Sequence, residues 1–483
     1  MSTKNKKNYK VVVVGSGLPS LNFIDSFLKK NKKIDVISPD FKEELNISNN
    51  YNNHLFKIFP TPEIKKKVKK VKNYFTSNNL QVDENCKILG LLEFGGLSNY
   101  WGLQIDKDIN EDIKHLKKST IKSIKQHFYN LLKSSGFIGE FILNKKLRFK
   151  NDYDIPEKLE NLINKKDKNY SLSKSILAFF TNSKKKAKLE EIKENKSKFI
   201  SSIFFKKFLK NKNIKFHNYY VERIYKEGKK IVLLCKNNKE SKKFITDKVV
   251  LGCGTIVTTK LILDFLKINK EVRIKHHPRL LSAFLSRIKI SSAMDFTPSL
   301  LQIKNKKKND RYIADIRPGN SIITNSIIDL YKFLLPVKFF INYIKEYLIF
   351  SNILLDSKYS DLYIKVQKNL VTKIYSKNQS IHSLLKKRNK DIFRFLLKNK
   401  IIYPIYKTSF PGVGAEYHYF GTIPINSSKN KLSVNENCQL KTDPNIYIVD
   451  GSVFDFRVNK YPLALIVANA RRIGNSIKLS EVF

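Results

Sequence analysis

A glycine-rich turn follows the first apolar segment of the chain. Residues 11–14 are four valines, Gly15 and Gly17 follow at once, and Ser20 stands where the pattern G-x-G-x-x-G has its third glycine. Glycine lets the backbone turn tightly and approach a pyrophosphate, whose charge then lies at the N-terminus of the next helix. The spacing predicts a site for the diphosphate of a dinucleotide. Two departures weaken the match: Ser20 replaces the third glycine, and Ser38 stands where an acidic residue is expected, with Asp40 two residues later.

The elements around this turn must hold it between a strand and a helix. Residues 10–14 have the apolar character of a buried parallel strand. Leu21, Ile24 and Phe27 then recur at helical spacing. A second apolar strand at 34–37 completes a βαβ unit.

A second glycine-rich segment lies near residue 100. It is a glycine pair followed by small polar residues and by the only tryptophan of the chain, and its main positions are Gly95, Gly96, Ser98 and Trp101. Taken alone, this segment does not indicate a particular chemistry. It becomes informative when it is considered together with the segments described next.

Two later apolar segments also end in small or acidic residues. One is a strand that leads into Gly254 and an amphipathic helix. The other ends in Asp450 and Gly451, and Pro462 then opens the last helix of the chain. The joint occurrence of all these segments is far more specific than any one of them.

Together the segments resemble the glucose-methanol-choline (GMC) family of FAD-dependent oxidoreductases, in order and in spacing. The resemblance covers most of the chain outside 276–410. It implies that the first glycine turn holds the FAD diphosphate, that the glycine pair contacts the flavin, and that the strand beginning at Tyr220 meets the adenine. The cofactor residues that it implies are Gly15, Gly17, Ser20, Gly95, Gly96, Ser98, Trp101, Val221, Gly254, Asp450, Gly451 and Pro462.

The resemblance also implies the fold, an α/β (α+β) chain with a Rossmann-like FAD-binding domain and a smaller sheet-and-helix substrate domain. We expect residues 1–275 to form the first part of the FAD-binding domain, 276–410 the substrate domain, and 411–483 the part that returns to the FAD-binding domain. Lysine-rich stretches at 63–79, 110–132 and 184–210 are predicted to be helical insertions, because apolar residues recur within them.

The implied reaction is hydride transfer from a CH–OH donor to flavin N5, with a base that takes the hydroxyl proton. A lone histidine is more often structural, but the resemblance places the base at His418. The second active-site position falls on Tyr461, whose hydroxyl can donate a hydrogen bond but is a poor base near neutral pH because its ordinary pKa is about 10. Asn459 is the alternative if the loop bulges. The adjacent His276 and His277 are expected to form a linker, and no metal site is predicted.

The donor is expected to be a sugar, a sugar derivative or a glycan, because the form GG-x-S-x-x-W-G is similar to that of carbohydrate-acting members. The electron acceptor, whether oxygen, a quinone or a redox protein, is left open. Two alternatives also stay open. One is a flavin enzyme with a non-sugar donor, and the other is a flavin-free peripheral membrane or assembly protein that uses the Phe-rich stretch 333–350 and its lysines.

The composition bears on nucleic-acid binding and on the cellular location of the protein. The net charge is +50, but only 12 of the 92 basic residues are arginine, and lysines are spread through the whole sequence. Because readers of bases and phosphates favour arginine, no nucleic-acid partner is expected. The four cysteines are far apart and the first apolar run is short, so a cytoplasmic location is expected, with contact to an acidic membrane through 333–350 as an open addition.

Overall fold

The computed structural model describes part of the chain in detail. The described residues are 8–29, 33–39, 62–134, 137, 139–144, 147–151, 153, 155–178, 198–290, 299–307, 309–319, 336, 340, 343–367, 370–377, 381–415, 418–425, 430–456 and 461–477. They form helices and several sheets, which confirms a mixed α/β chain.

The strands within these residues are β1 (Asn8–Val14), β2 (Ile34–Ile37), β3 (Leu80–Val82), β4 (Gln104–Ile105), β5 (Gly139–Asn144), β6 (Leu147–Asn151), β7 (Tyr170–Lys174), β8 (Ile176–Leu177), β9 (Ile214–His217), β10 (Tyr220–Glu227), β11 (Lys230–Lys236), β12 (Ser241–Leu251), β13 (Val272–Ile274), β14 (Arg279–Ser286), β15 (Leu301–Asn305), β16 (Tyr312–Pro318), β17 (Leu348–Leu355), β18 (Leu362–Val366), β19 (Thr372–Tyr375), β20 (Ile402–Ser409), β21 (Gln439–Leu440) and β22 (Asp443–Ile448). The helices are α1 (Leu18–Leu28), α2 (Pro62–Ser77), α3 (Asn110–Ile113), α4 (Lys118–Ser134), α5 (Glu157–Asn164), α6 (Ser201–Phe205), α7 (Thr255–Phe265), α8 (Ile381–Lys398) and α9 (Leu463–Ser476).

The largest sheet has a parallel centre in the order β9-β2-β1-β12-β22. The four valines of β1 are at most 4% exposed, as expected for a central strand that is covered on both faces. The first half of β12 pairs with the antiparallel strand β11, which in turn pairs with β10. The predicted βαβ unit is confirmed, because α1 connects β1 to the parallel strand β2.

Helix α9 packs closely against α1 on one face of this sheet. Gly474 permits this, since a Cβ at that position would lie 2.5 Å from the carbonyl oxygen of Phe23 and 3.0 Å from Cβ of Ser26. Arg471 adds a hydrogen bond of 2.9 Å to Asn22. The last helix of the chain is thereby fixed beside the first glycine turn.

A second sheet is antiparallel and has the order β20-β14-β17-β16-β15-β7. Helix α8 packs on one of its faces, where Ser282 of β14 donates a 2.7 Å hydrogen bond to Asn389. Most of its strands lie within 276–410, but β7 comes from residues 170–174. The strands β18 and β19, also within that range, belong to a separate four-stranded sheet with β13 and β3.

Each of the lysine-rich stretches contains a helix among its described residues: α2 in the first, α3 and α4 in the second, and α6 in the third. Residues 184–197 lie outside the described residues, as does much of the Phe-rich stretch 333–350. Within the described part of the chain, no helix combines the length and apolar character needed to cross a membrane.

Candidate functional site

One cleft lies where the parallel strands of the large sheet end. The turns after β1, β2, β12 and β22 all reach it, which is where ligands of open α/β sheets commonly bind. Its cavity measures about 250 Å³. The predicted cofactor residues that line it are Gly15, Gly17, Gly95, Gly96, Ser98, Trp101, Val221, Gly254, Asp450, Gly451 and Pro462.

The first glycine turn depends on a close approach between two backbones. Gly15 has φ +102°, and a Cβ there would lie 2.6 Å from the carbonyl oxygen of Gly252 and 2.8 Å from Cα of Cys253. Ser20 donates a hydrogen bond of 3.0 Å to the same carbonyl oxygen. The serine that departs from the glycine pattern therefore ties the turn after β1 to the turn after β12, and it lies beneath the cleft rather than on its lining.

The glycine-pair loop is attached to the first turn through side-chain hydroxyls. Ser16 accepts a 2.7 Å hydrogen bond from the backbone N–H of Gly95 and shares a 2.6 Å bond with Ser38. Ser98 accepts a 3.2 Å bond from the N–H of Leu18 at the start of α1. The hydroxyl of Ser38, where an acid was expected, is thus used to join β2 to the two glycine turns.

Trp101 and Val221 extend the lining away from these turns. The Trp101 indole N–H donates a 2.9 Å hydrogen bond to the carbonyl oxygen of Phe199, which fixes the ring at the wall of the cleft. Val221 lies in β10 and is 4% exposed. Trp101 belongs to the glycine-pair loop, whereas Val221 reaches the cleft from a segment far from both glycine turns along the chain.

Asp450 organises the turn before α7. Its carboxylate accepts hydrogen bonds from the N–H of Gly254 at 3.1 Å, from Thr258 at 2.5 Å, and from the N–H and hydroxyl of Ser452 at 3.0 and 2.6 Å. Burial raises the pKa of Asp450, and these donors act in the opposite direction. The residue holds the backbone in place and has few lone pairs left for a ligand.

Three helices begin at the cleft. The N-termini of α1, α7 and α9 contribute Gly17, Gly254 and Leu463 to its lining, and, among the residues that the structure describes, the N-cap residues of the three helices form no side-chain cap hydrogen bond. A helix N-terminus carries partial positive charge and free N–H groups, so the arrangement favours anionic groups of a ligand.

His418 also lines the cleft. Its ring lies 5.6 Å from the ring of Tyr461, at an interplanar angle of 87°, and 6.4 Å from the ring of His277. Burial, together with the charges of Arg279 and Arg317, lowers the pKa of His418 to about 4. The imidazole is therefore neutral at physiological pH and able to accept a proton.

Tyr461 lies beside this histidine rather than on the cavity lining. It is 6% exposed, packs against Ile313 of β16 and Leu354 of β17, and its hydroxyl has no hydrogen-bond partner among the described residues. Asn459, the alternative, lies outside the described residues.

Other residues of the site were not predicted from the sequence. His276 and His277 do connect β13 to β14, but they are buried, and the second of them lies beside His418. Tyr74 of α2 lies over Gly90 at the cleft, where a Cβ would come within 2.1 Å of its ring. Glu93 also lines the cleft and forms a 2.9 Å ion pair with Lys70 of α2. The sequence contains only weak signals for these residues, because α2 resembles a lysine-rich surface helix and a pair of histidines is ordinary in a linker.

Two further titratable groups of the cleft, Cys253 and Tyr74, have raised pKa values. Burial raises the pKa of Cys253 to about 12 and also raises that of Tyr74, so both are neutral at physiological pH. Among the described residues, no group of three or more His, Cys, Asp or Glu side chains is arranged to hold a metal ion.

No protein-family model matches this chain, and no curated protein matches it significantly. Its function must therefore be inferred from the residues and their arrangement.

Proposed function

We propose that this chain is an FAD-dependent oxidoreductase of the GMC type that oxidises a CH–OH group, with a sugar or sugar derivative as donor. One observation carries the proposal. Cofactor residues predicted in separate segments of the sequence line a single cleft, and the predicted base lines the same cleft.

The residues present suit a dinucleotide cofactor. The parallel order of strands around β1 is that expected of a Rossmann-like domain, with the glycine turns at the carboxyl ends of the strands. The N-termini of α1 and α7 would hold the diphosphate. Val221 would contact the adenine, and the loop from Gly95 to Trp101 would contact the flavin ring.

FAD in this cleft would supply a two-electron acceptor for the hydride of the donor C–H bond. His418 would accept the proton of the donor hydroxyl, and its lowered pKa keeps the imidazole neutral for this task. The Tyr461 hydroxyl would donate a hydrogen bond to the same donor oxygen. The N-terminus of α9, at Leu463, would stabilise negative charge that develops nearby.

FAD uptake tests the proposal directly. The purified protein should show flavin absorbance, or should gain it when mixed with FAD. A colourless protein that does not take up FAD would refute the proposal and favour the flavin-free alternative.

Two matched glycines sharpen this test. Gly254 lines the cleft at φ +89°, Gly228 lies in the β10–β11 hairpin at φ +59°, and a Cβ at either would meet no atom of the described residues within 4 Å. Gly254→Ala should weaken FAD binding about tenfold or more, ~1.4 kcal/mol, whereas Gly228→Ala should leave it unchanged. Equal FAD affinities for the two variants would place the cofactor elsewhere.

His418 is tested by anaerobic reduction of the bound flavin. A panel of sugars and simple alcohols identifies the donor through bleaching of the flavin absorbance. His418→Ala should then slow reduction by about 10²-fold or more, the usual contribution of a positioned base. A variant that keeps the full reduction rate would exclude His418 as the base.

A further inference from the structure

Three polar side chains form a row across the second sheet. Gln302 of β15 stands opposite Asp315 of β16, which stands opposite Asn352 of β17. Residues directly opposite one another on antiparallel strands project from the same face, with Cβ atoms about 5 Å apart. The three residues are 3%, 0% and 9% exposed, so this row is buried.

The row lies on the face that looks toward the candidate site. Two residues further along the same strands, Ile313 and Leu354 are also paired and pack against Tyr461. Residues two apart in a strand share a face and lie about 7 Å apart. The opposite face carries Ser282, which bonds to α8. The polar row is therefore a near neighbour of Tyr461 and His418.

The other side of the row meets the loop that contains Trp101. Arg317, two residues beyond Asp315, donates a hydrogen bond to Gln104, which follows Trp101 closely in the chain. Arg317 also forms a 3.4 Å ion pair with Asp315. The row thus lies between the glycine-pair loop and the residues beside the candidate base, and the arginine balances its single carboxylate.

Several polar atoms on this face lack a partner. Among the described residues, no hydrogen bond satisfies Nε2 of Gln302, Oδ1 of Asn352 or the hydroxyl of Tyr461. Buried polar groups are costly when unsatisfied and are normally completed by a ligand or by water. These atoms are an amide N–H donor, an amide oxygen and a phenol hydroxyl.

We propose that Gln302, Asp315 and Asn352, together with Tyr461, bind the hydroxyl groups of a polyhydroxylated donor and hold one of its C–OH groups beside His418. This rests on the proposed function and gives a structural reason for its donor class. A hydroxyl group both donates and accepts, so neighbouring hydroxyls of a sugar or polyol match alternating amides and a carboxylate. An apolar alcohol would leave the same atoms unpaired, and a cationic donor would meet Arg317 and Arg279.

Two variants with a matched control test the row. Gln302→Met and Asn352→Leu keep the side-chain size and remove the polar atoms. Ser351→Ala is the control, because Ser351 is adjacent to Asn352, fully buried, equally without a hydroxyl partner among the described residues, and on the opposite face.

Calorimetric titration of glucose, galactose, xylose and glycerol measures binding, with cyclohexanol as the apolar comparison. The wild-type protein and Ser351→Ala should bind at least one sugar or polyol more tightly than cyclohexanol. Each row variant should weaken that binding about tenfold, as expected for a lost buried hydrogen bond. In the FAD-loaded protein the row variants should raise the donor concentration needed for half-maximal flavin reduction about tenfold, whereas Ser351→Ala should leave it unchanged.

The outcomes separate the two proposals. A protein that takes up no FAD refutes the proposed function, and sugar binding lost in the row variants would still support the row. A protein that binds FAD but prefers cyclohexanol, binds none of the sugars, or binds them equally well in the row variants overturns the row. Circular dichroism confirms that the variants are folded, and removal of unsatisfied polar atoms should leave their thermal stability equal to or above that of the wild type.

Discussion

Gly15→Ala tests the closest backbone approach in the cleft. The substitution adds one methyl group at φ +102°, where that Cβ would lie 2.6 Å from the carbonyl oxygen of Gly252 and 2.8 Å from Cα of Cys253. Both neighbours are backbone atoms of the turn after β12, so they cannot move aside as the end of a side chain can. The turn after β1 must separate from the turn after β12 to admit the methyl group.

The expected magnitude follows from two terms. A non-glycine residue at positive φ costs about 1–2 kcal/mol, and overpacking of a buried contact costs about 1–3 kcal/mol more. Gly15→Ala should therefore lower the free energy of unfolding by about 2–5 kcal/mol, a large part of the 5–15 kcal/mol that is usual for folded proteins. Gly228→Ala is the control: at φ +59° with no described atom within 4 Å, it should cost only the first term.

Urea unfolding followed by far-ultraviolet circular dichroism compares the two variants with the wild type. We expect the urea midpoint of Gly15→Ala to fall clearly below that of Gly228→Ala, at similar slopes. If the two midpoints agree, the turns after β1 and β12 do not approach each other closely at Gly15.

Three further predictions concern single side chains. Because the pKa of His418 is lowered to about 4, the imidazole remains a base at higher pH, so stopped-flow flavin reduction should be constant from pH 8 to about 5 and fall below that; a decline with an apparent pKa near 6.5 would contradict its burial. Ser20→Ala removes the donor to the buried carbonyl of Gly252 and should cost about 1–3 kcal/mol in chemical unfolding; an unchanged stability would mean that this bond is not formed. Asp450→Asn replaces an oxygen that accepts hydrogen bonds with an NH₂ group. The variant should lose about 1–3 kcal/mol of stability, so it should unfold at a lower temperature, and FAD titration should show weaker binding. A wild-type melting temperature would exclude Asp450 as the anchor of Ser452 and of the turn before α7.

Local patterns in the sequence predicted much of the large sheet. The valine run before Gly15 and the helical spacing after it specify β1 and α1, because both depend on residues that are neighbours in the chain. The same holds for the strand that ends before Gly252 and for the last helix after Pro462. The residues at the ends of these elements could therefore be assigned to the cleft from the sequence. Ser20 was assigned to it as well, but it lies beneath the lining.

The second sheet was harder to predict, since its pairings join distant segments. Nothing near Tyr170–Lys174 indicates that β7 pairs with β15, more than 120 residues away. A lysine-rich helix such as α2 is typical of a surface, and its sequence does not indicate that Tyr74 covers Gly90. Such contacts depend on which faces meet, and one sequence does not specify this.

The sequence by itself determined the glycine turns, the strands and helices that flank them, and the presence of one histidine in a suitable context. Only the tertiary structure decided that His277 lies beside His418, that Tyr461 packs on β16 and β17, and that Gln302, Asp315 and Asn352 form one row. The physical reason is strand register. A shift of one residue in the pairing of β15, β16 and β17 would turn these side chains to the opposite face, and register is set by the packing of the whole sheet against α8 and the cleft.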